Sequence, residues 1–168
     1  MTETWSLYLL RHAIAAERGE KFPDDALRPL THEGAVRMRF GARGLNAMGV
    51  ELDVLITSPL IRAMSTAEIV QRGLSRRPKV LCAPALSPGG SPAKLSETLA
   101  KFGEHHSMGL VGHEPDLGRF AAWLIGAAQP LPFKKGGACR IDLAEWPPAP
   151  KQGTLVWFAT PKMLRSLD

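Results

Sequence analysis

The chain has 168 residues, and its 45% hydrophobic and 22% charged residues are typical of a globular protein, which excludes a disordered or fibrous chain. Its 21 lysines and arginines against 16 acidic residues give a formal net charge of +5, which favours anionic partners. The basic residues are scattered, and neither a reading helix nor interleaved aromatic residues accompany them. A phosphate-sized anion is therefore a better-matched partner than nucleic acid.

The first predicted element is a buried strand that ends in an arginine and a histidine. Residues 7–10 form an unbroken apolar and aromatic run directly before Arg11 and His12. Because the run does not alternate with polar residues, it predicts a strand of a parallel sheet that is covered on both faces. Ligands of open α/β sheets bind beyond the carboxyl ends of the strands, so we expect the chemistry at Arg11 and His12. Residues 14–31 carry no period and predict a long loop.

Strands and helices then alternate as far as residue 127. Strands are predicted over 52–58, 79–82 and 108–113, and helices over 32–48, 59–73, 92–102 and 115–127. Thr31 is a favourable N-cap for the first of these helices. The Ser-Pro pairs at 58–59 and 91–92 each place a capping residue before a proline in the first helical position. The residues of the first helix that are expected to face the core are Val36, Phe40 and Leu45.

The last third of the chain has a different pattern. Residues 138–143 and part of 154–158 alternate between apolar and polar side chains, and only a proline-rich connection separates them. Two strands joined this closely predict an antiparallel hairpin at one side of the sheet. A short helix is predicted over 161–167. The order of elements predicts a three-layer α/β/α sandwich with a mostly parallel sheet and an antiparallel hairpin near the C-terminus.

The remaining patterns predict a cytoplasmic protein. Residues 1–4 lack a basic region followed by an apolar run, so no signal peptide is expected, and no apolar segment approaches the roughly 20 residues that cross a bilayer. Cys82 and Cys139 belong to no paired Cys/His spacing, which gives no support to a zinc site, and both are expected to be buried thiols. We expect one domain over residues 1–168, a monomer, and no cofactor or metal.

Four side chains fall at comparable places in the predicted fold. Arg11 and His12 follow the first strand. Arg62 lies in the first helical turn after the second strand, and His113 ends the fourth strand. If these strands are parallel neighbours, the four side chains converge over one edge of the sheet. Arginine matches phosphoryl oxygens, one histidine can attack phosphorus, and the other can stabilise developing charge. Each residue alone could be structural or solvated, but their joint placement favours phosphoryl chemistry.

The motifs around these residues resemble those of the histidine phosphatase superfamily, which contains phosphoglycerate mutases and acid phosphatases. The superfamily motifs are Leu-Arg-His-Ala at 10–13, Thr-Ser-Pro-Leu-Ile-Arg-Ala at 57–63 with Thr66 and Ala67, and Val-Gly-His at 111–113. Within the superfamily the chain is most similar to the small SixA-type phosphohistidine phosphatases. That similarity is in Arg-Pro-Leu-Thr at 28–31 with Gly34, and in residues 86–90, 112–115 and 161–163. The resemblance implies a phosphoglycerate mutase-like fold.

The resemblance also implies a role for each residue of the predicted site. His12 would be the nucleophile and would form a phosphohistidine intermediate that water hydrolyses. Arg11, Arg62 and His113 would hold the phosphoryl oxygens, and Arg28 is a further candidate for binding the substrate. For attack, His12 must present a neutral ring nitrogen while an acceptor holds the proton of the other nitrogen. The sequence does not identify that acceptor.

Two departures from the family pattern bear on the substrate. Ala13 replaces a glycine, which a small backbone adjustment absorbs. Many relatives place a carboxylate after the third strand to protonate a leaving alkoxide, whereas residues 83–94 contain none. General-acid catalysis is worth about 10²–10⁴ in rate, and an imidazole leaving group needs far less of it than an alkoxide. Glu114 is the nearest alternative acid, or else a carboxylate that stabilises a helix N-terminus, and it is a candidate substrate-binding residue.

Three functions remain open at this point. The first is a metal-independent phosphatase with an open site that acts on phosphohistidine in a protein. The second is a phosphatase of the same superfamily that acts on small phosphate monoesters, with Glu114 as the acid. The third is a phosphate-binding module with little turnover, which would not need a reactive His12. A nucleic-acid or membrane partner is not expected.

Overall fold

The computed structural model describes residues 3–168 as a six-stranded sheet with helices on both faces. The strands are β1 (Trp5–Arg11), β2 (Val54–Thr57), β3 (Lys79–Cys82), β4 (Ser107–Gly112), β5 (Ala138–Leu143) and β6 (Gly153–Ala159). The helices are α1 (His32–Ala47), α2 (Ile61–Gly73), α3 (Pro92–Leu99), α4 (Asp116–Ile125) and α5 (Pro161–Arg165). Single 3₁₀ turns cover Asp25–Leu27, Pro84–Leu86 and Ala100–Phe102.

The sheet has the order β3-β2-β4-β1-β5-β6. β1, β2, β3 and β4 run parallel to one another, whereas β5 pairs antiparallel with β1, and β6 pairs antiparallel with β5. The predicted three-layer sandwich with a C-terminal hairpin is therefore confirmed. In the register, Arg11 lies opposite Gly112, and Thr57 lies opposite Val111. Because β1, β2 and β4 end at the same level, the residues that follow them meet at one edge.

The sheet separates two apolar layers. Helices α1, α2 and α5 cover one face, and α3 and α4 cover the other. Successive residues of β1, Leu9 and Leu10, belong to opposite layers, and so do Leu110 and Val111 of β4. This burial on both faces is the reason for the unbroken apolar runs of the parallel strands.

The predicted inward face of α1 is partly wrong. Leu45 is buried, but Val36 is only half-buried and Phe40 is 39% exposed. Glycines decide which face of the helix turns inward, because a Cβ at Gly34 would lie 2.1 Å from the carbonyl oxygen of Ile14, and one at Gly44 would lie 1.9 Å from that of Leu164. The helix buries the face that carries these glycines together with the residues Met38, Gly41, Ala42 and Leu45.

Other differences concern helix starts and one thiol. α2 begins two residues later than predicted, with Leu60 as the N-cap, because the backbone N–H of Ser58 still pairs with the carbonyl of Val111 in β4. Pro115 is the N-cap of α4 rather than its first residue. Cys82 is exposed because β3 is an edge strand, so only Cys139 is the expected buried thiol.

In residues 3–168, no helix combines the length and apolar character of a membrane span.

Candidate functional site

The structure brings the two predicted histidines together at the carboxyl edge of the sheet. The ring centroids of His12 and His113 are 5.1 Å apart, and both side chains are buried. Arg62 enters from the first turn of α2, and Thr66 connects that turn to the loop after β1. The Thr66 hydroxyl donates to the carbonyl of Arg62 at 2.7 Å and accepts from the backbone N–H of Ala13 at 3.0 Å. Thr66 thus fixes the start of α2 against the His12 backbone.

The acceptor that orients the His12 ring is the carbonyl of the next residue. Nδ1 of His12 lies 2.7 Å from the carbonyl oxygen of Ala13, so the Nδ1 proton is donated there and Nε2 keeps its lone pair. Burial is the largest cause that lowers the pKa of His12, the Ala13 hydrogen bond opposes it, and with the charges of Arg62 and Arg11 the pKa falls to about 4. The ring is therefore neutral at pH 7, and Nε2 has a free lone pair. The sequence could not reveal this acceptor, since any residue has a carbonyl.

Ser58 holds the second histidine. The Ser58 hydroxyl is 2.8 Å from Nε2 of His113 and accepts from the backbone N–H of Leu60, which leaves its own proton free to be donated to the imidazole. With Nε2 accepting, the ring proton of His113 is on Nδ1. Burial, His12 and Arg62 lower the pKa of His113 to about 3. Sequence reasoning missed Ser58 as a site residue, since it was interpreted only as a helix cap.

Both predicted arginines use their terminal nitrogens for structural contacts. Nη1 of Arg11 donates to the carbonyl of Phe133 at 2.9 Å. Nη1 of Arg62 donates to the carbonyl of Asp25 at 2.8 Å, and Nη2 donates to its carboxylate at 2.9 Å. Burial lowers the pKa of each guanidinium, yet an arginine remains charged at any physiological pH. These contacts fix both guanidinium groups in place.

Three buried side-chain nitrogens in residues 3–168 have no hydrogen-bond partner: Nε of Arg11, Nε of Arg62 and Nδ1 of His113. All three belong to the predicted site. Buried donors are almost always paired in folded proteins, and an unpaired one costs about 1–3 kcal/mol. Two cationic donors and one imidazole donor around a neutral His12 form the environment that a phosphoryl group needs.

Asp25 is a site residue that sequence reasoning missed. It lies in the 3₁₀ turn of the long loop, and its carboxylate pairs with Arg62 at 2.9 Å, Arg28 at 3.0 Å and Arg18 at 3.2 Å. Partial burial raises the pKa of Asp25, but the hydrogen bonds and charges of Arg62 and Arg28 lower it below its ordinary value. The only signal in the sequence is the length of the loop, which is typical of a functional segment.

The structure joins Arg28 to the site through Asp25. Arg28 is 7% exposed, and besides the Asp25 contact its Nη1 donates to the carbonyl of Ala16 at 2.7 Å. Asp25 is therefore the bridge between the Arg28 and Arg62 side chains. Contact between Arg28 and a substrate stays a prediction.

Glu114 has the contact expected of a carboxylate at a helix N-terminus. Its Oε1 accepts from the backbone N–H of Gly118 at 2.9 Å. Burial raises the pKa of Glu114, while the Gly118 hydrogen bond and the charge of Arg11 act in the opposite direction. A carboxyl with a raised pKa near Arg11 keeps the general-acid alternative open.

The segment that lacks a carboxylate lies beside His113. Ala85 and Gly90 share a crevice with the His113 ring. Asp116, which also lines that crevice, accepts from the backbone N–H of Gly89 at 2.7 Å. The Asp116 carboxylate therefore holds the loop, and residues 83–93 bring only apolar or hydroxyl side chains.

Comparisons with known sequences agree with the family resemblance. The sequence model described as "Histidine phosphatase superfamily (branch 1)" matches residues 7–86. The chain is 38% identical to an uncharacterized protein of Picosynechococcus over 118 residues, which are 68% of this chain and 70% of that protein. It is 27% identical to the phosphohistidine phosphatase SixA of Escherichia coli over 161 residues, which are 95% and 96% of the two chains.

Comparisons with solved structures agree with the fold. A structure of the protein histidine phosphatase SixA complexed with tungstate superposes with a TM-score of 0.82 and 27% identity, over 94% of this chain and 97% of that one. Phosphoglycerate mutase from Bacillus anthracis superposes with a TM-score of 0.75 at 12% identity, over 99% and 97% of the two chains. The expected phosphoglycerate mutase-like fold is confirmed.

Proposed function

The chain belongs to the histidine phosphatase superfamily, and on that premise we propose that it is a phosphatase that removes the phosphoryl group from phosphohistidine in a protein. The observation that carries the proposal is the set of three unpartnered buried donors on Arg11, Arg62 and His113 around a neutral imidazole. Three donors can bind the three equatorial oxygens that carry charge during phosphoryl transfer.

The proposed reaction has two displacement steps. Nε2 of His12 attacks phosphorus, a new P–N bond forms, and the P–N bond to the substrate imidazole breaks. The leaving imidazole keeps the electron pair of that bond and departs as the neutral ring, because its second ring nitrogen carries a proton. A water molecule then attacks phospho-His12, which releases inorganic phosphate and restores the neutral His12 ring.

The leaving group is the argument for phosphohistidine over a phosphate monoester. The segment beside His113 carries no carboxylate, and Asp116 is engaged with the backbone of Gly89. An alkoxide, whose conjugate acid has a pKa near that of water at about 15.7, needs a proton as it leaves. An imidazole whose second ring nitrogen is protonated leaves as the neutral ring, whose conjugate acid has a pKa of only about 6.5, so it needs no further proton. The similarity to SixA phosphatases supports the same substrate class.

Two peptides of one sequence, with phosphohistidine or phosphoserine at the same position, test this proposal. We expect kcat/KM to be at least about 10²-fold higher for phosphohistidine, since no general acid assists a serine alkoxide. An aryl phosphate, whose leaving group needs little protonation, is the control and should be hydrolysed faster than the phosphoserine peptide. Equal rates for the two peptides would contradict the proposal.

The raised pKa of Glu114 is the observation that favours the alternative, a phosphatase for monoesters, and Glu114→Gln tests it. The amide keeps an acceptor for the Gly118 N–H, so we expect kcat/KM for the phosphohistidine peptide to change by no more than about threefold. Asp116→Asn, which likewise keeps an acceptor for Gly89, is the matched control. A loss of about 10² on monoesters in Glu114→Gln alone would assign Glu114 as the acid and support the alternative function.

A further inference from the structure

A groove with basic walls lies next to the candidate site. Its volume is about 230 Å³, and its floor includes Met38 and Pro161. We name it the basic groove, after the five cationic side chains that line it. They are Arg37, Lys134, Lys135, Lys162 and Arg165.

The positive charge of the basic groove is largely uncompensated. Arg37 pairs with Glu33 of the same helix. Across residues 3–168, no ion pair involves Lys134, Lys135, Lys162 or Arg165. The lining includes no carboxylate. Like charges gathered from α1, α5 and the loop before β5 repel one another, so an anionic occupant would stabilise them.

The groove shares its backbone with the candidate site. Ala13, whose carbonyl orients the His12 ring, lines the groove, and so does Gly136. The Gly136 N–H lies 3.1 Å from the carbonyl oxygens of both Arg11 and His12. Lys135 also acts on the site, since its charge is among those that lower the pKa of His12. A phosphorylated substrate protein whose phosphoryl group reaches His12 therefore lies next to the basic groove.

We propose that the basic groove binds an acidic segment of the phosphoprotein substrate, adjacent to the phosphohistidine. This inference rests on the proposed function. Aspartate and glutamate side chains would pair with the lysines and Arg165, while apolar atoms of the segment pack on Pro161. No aromatic side chain lines the groove, so it lacks the stacking surfaces that bind single-stranded nucleic acid, and the charge complements an acidic peptide.

The test uses two phosphohistidine peptides that differ only in residues flanking the phosphorylated position, which are Asp and Glu in one and Asn and Gln in the other. We expect a KM about tenfold lower for the acidic peptide at low salt, and a smaller difference at high salt. Lys162→Glu/Arg165→Glu should abolish the preference and leave kcat/KM for the free amino acid phosphohistidine unchanged. The matched control is Arg77→Glu/Lys79→Glu, which lies at the start of β3, away from the carboxyl ends of the strands. This variant should keep the preference.

Direct binding separates this inference from the proposed function. Unphosphorylated versions of both peptides, labelled for fluorescence anisotropy, report binding without turnover. If no phosphohistidine compound is hydrolysed, the proposed function fails, while selective binding of the acidic peptide would still support the groove. Three results would overturn the inference. The wild type could bind the two peptides equally, or Lys162→Gln/Arg165→Gln could leave binding of the acidic peptide unchanged. An RNA oligonucleotide could also bind more tightly than the acidic peptide and lose that binding in the double variant.

Discussion

His12→Asn is expected to lower kcat by at least about 10⁴-fold, because the variant loses the nucleophile that accepts the phosphoryl group. Asparagine is close in size to the buried ring and should leave the fold intact. The measurement is single-turnover hydrolysis of a phosphohistidine peptide, followed by mass spectrometry of the quenched enzyme. The wild type should carry a phosphoryl group on the peptide that contains His12.

The structure also predicts which nitrogen carries that group. Nδ1 of His12 is engaged with the Ala13 carbonyl, so the adduct should form on Nε2. His105→Asn is the matched control, since His105 precedes the amino end of β4, whereas the site lies at the carboxyl ends of the strands. This variant should retain full activity and form the adduct. Hydrolysis by His12→Asn at more than about a hundredth of the wild-type rate would exclude His12 as the nucleophile.

Arg62→Met is expected to reduce kcat/KM by about 10²–10³, because it removes a fixed cationic donor from a buried site. Arg62→Lys should recover only part of this loss, since an ammonium group lacks the planar fork that Asp25 holds in place. Inhibition constants for tungstate, a tetrahedral oxyanion, should rise in parallel in both variants. Thermal unfolding of each variant shows whether the protein stays folded at the assay temperature.

Asp25→Asn separates the charge of Arg62 from its orientation. The carboxylate is partly exposed, so we expect a smaller loss in kcat/KM of about tenfold. Asp24→Asn is the control, because its side chain keeps an acceptor for the backbone N–H of Ala26. A kcat/KM for Asp25→Asn equal to that of the wild type would contradict the expectation that the Asp25 carboxylate orients Arg62 for catalysis.

The parallel part of the fold could be predicted from the sequence because burial on both faces leaves an unbroken apolar run. The same runs end at Arg11, His12 and His113, so the convergence of these residues was expected on the condition that their strands are parallel neighbours, as β1 and β4 are. The starts of α2 and α4 were predicted less accurately than those of α1, α3 and α5. The Ser58 hydroxyl accepts from the backbone N–H of Leu60 and also contacts His113, which follows β4 and is 55 residues away in sequence.

Asp25 shows why the rest of the site could not be predicted. Its carboxylate contacts Arg62 across 37 residues of sequence, from a loop that has no periodic pattern. The carbonyl that orients His12 has no sequence signature at all. The face of α1 was also unpredictable, because Gly34 and Gly44 were interpreted as weak helix formers, whereas they permit close backbone contact.

The two buried imidazoles give the protein an acid-sensitive fold. In the unfolded chain a histidine has a pKa of about 6.5, whereas the folded values are about 4 for His12 and about 3 for His113. Above pH 6.5 neither state binds these protons, so the free energy of unfolding is unaffected. Below pH 6.5 the unfolded chain binds more protons, and each histidine lowers the free energy of unfolding by about 1.4 kcal/mol per pH unit until its folded pKa is reached. On acidification the fraction of folded protein should therefore fall while the His12 ring of each remaining folded molecule is still uncharged.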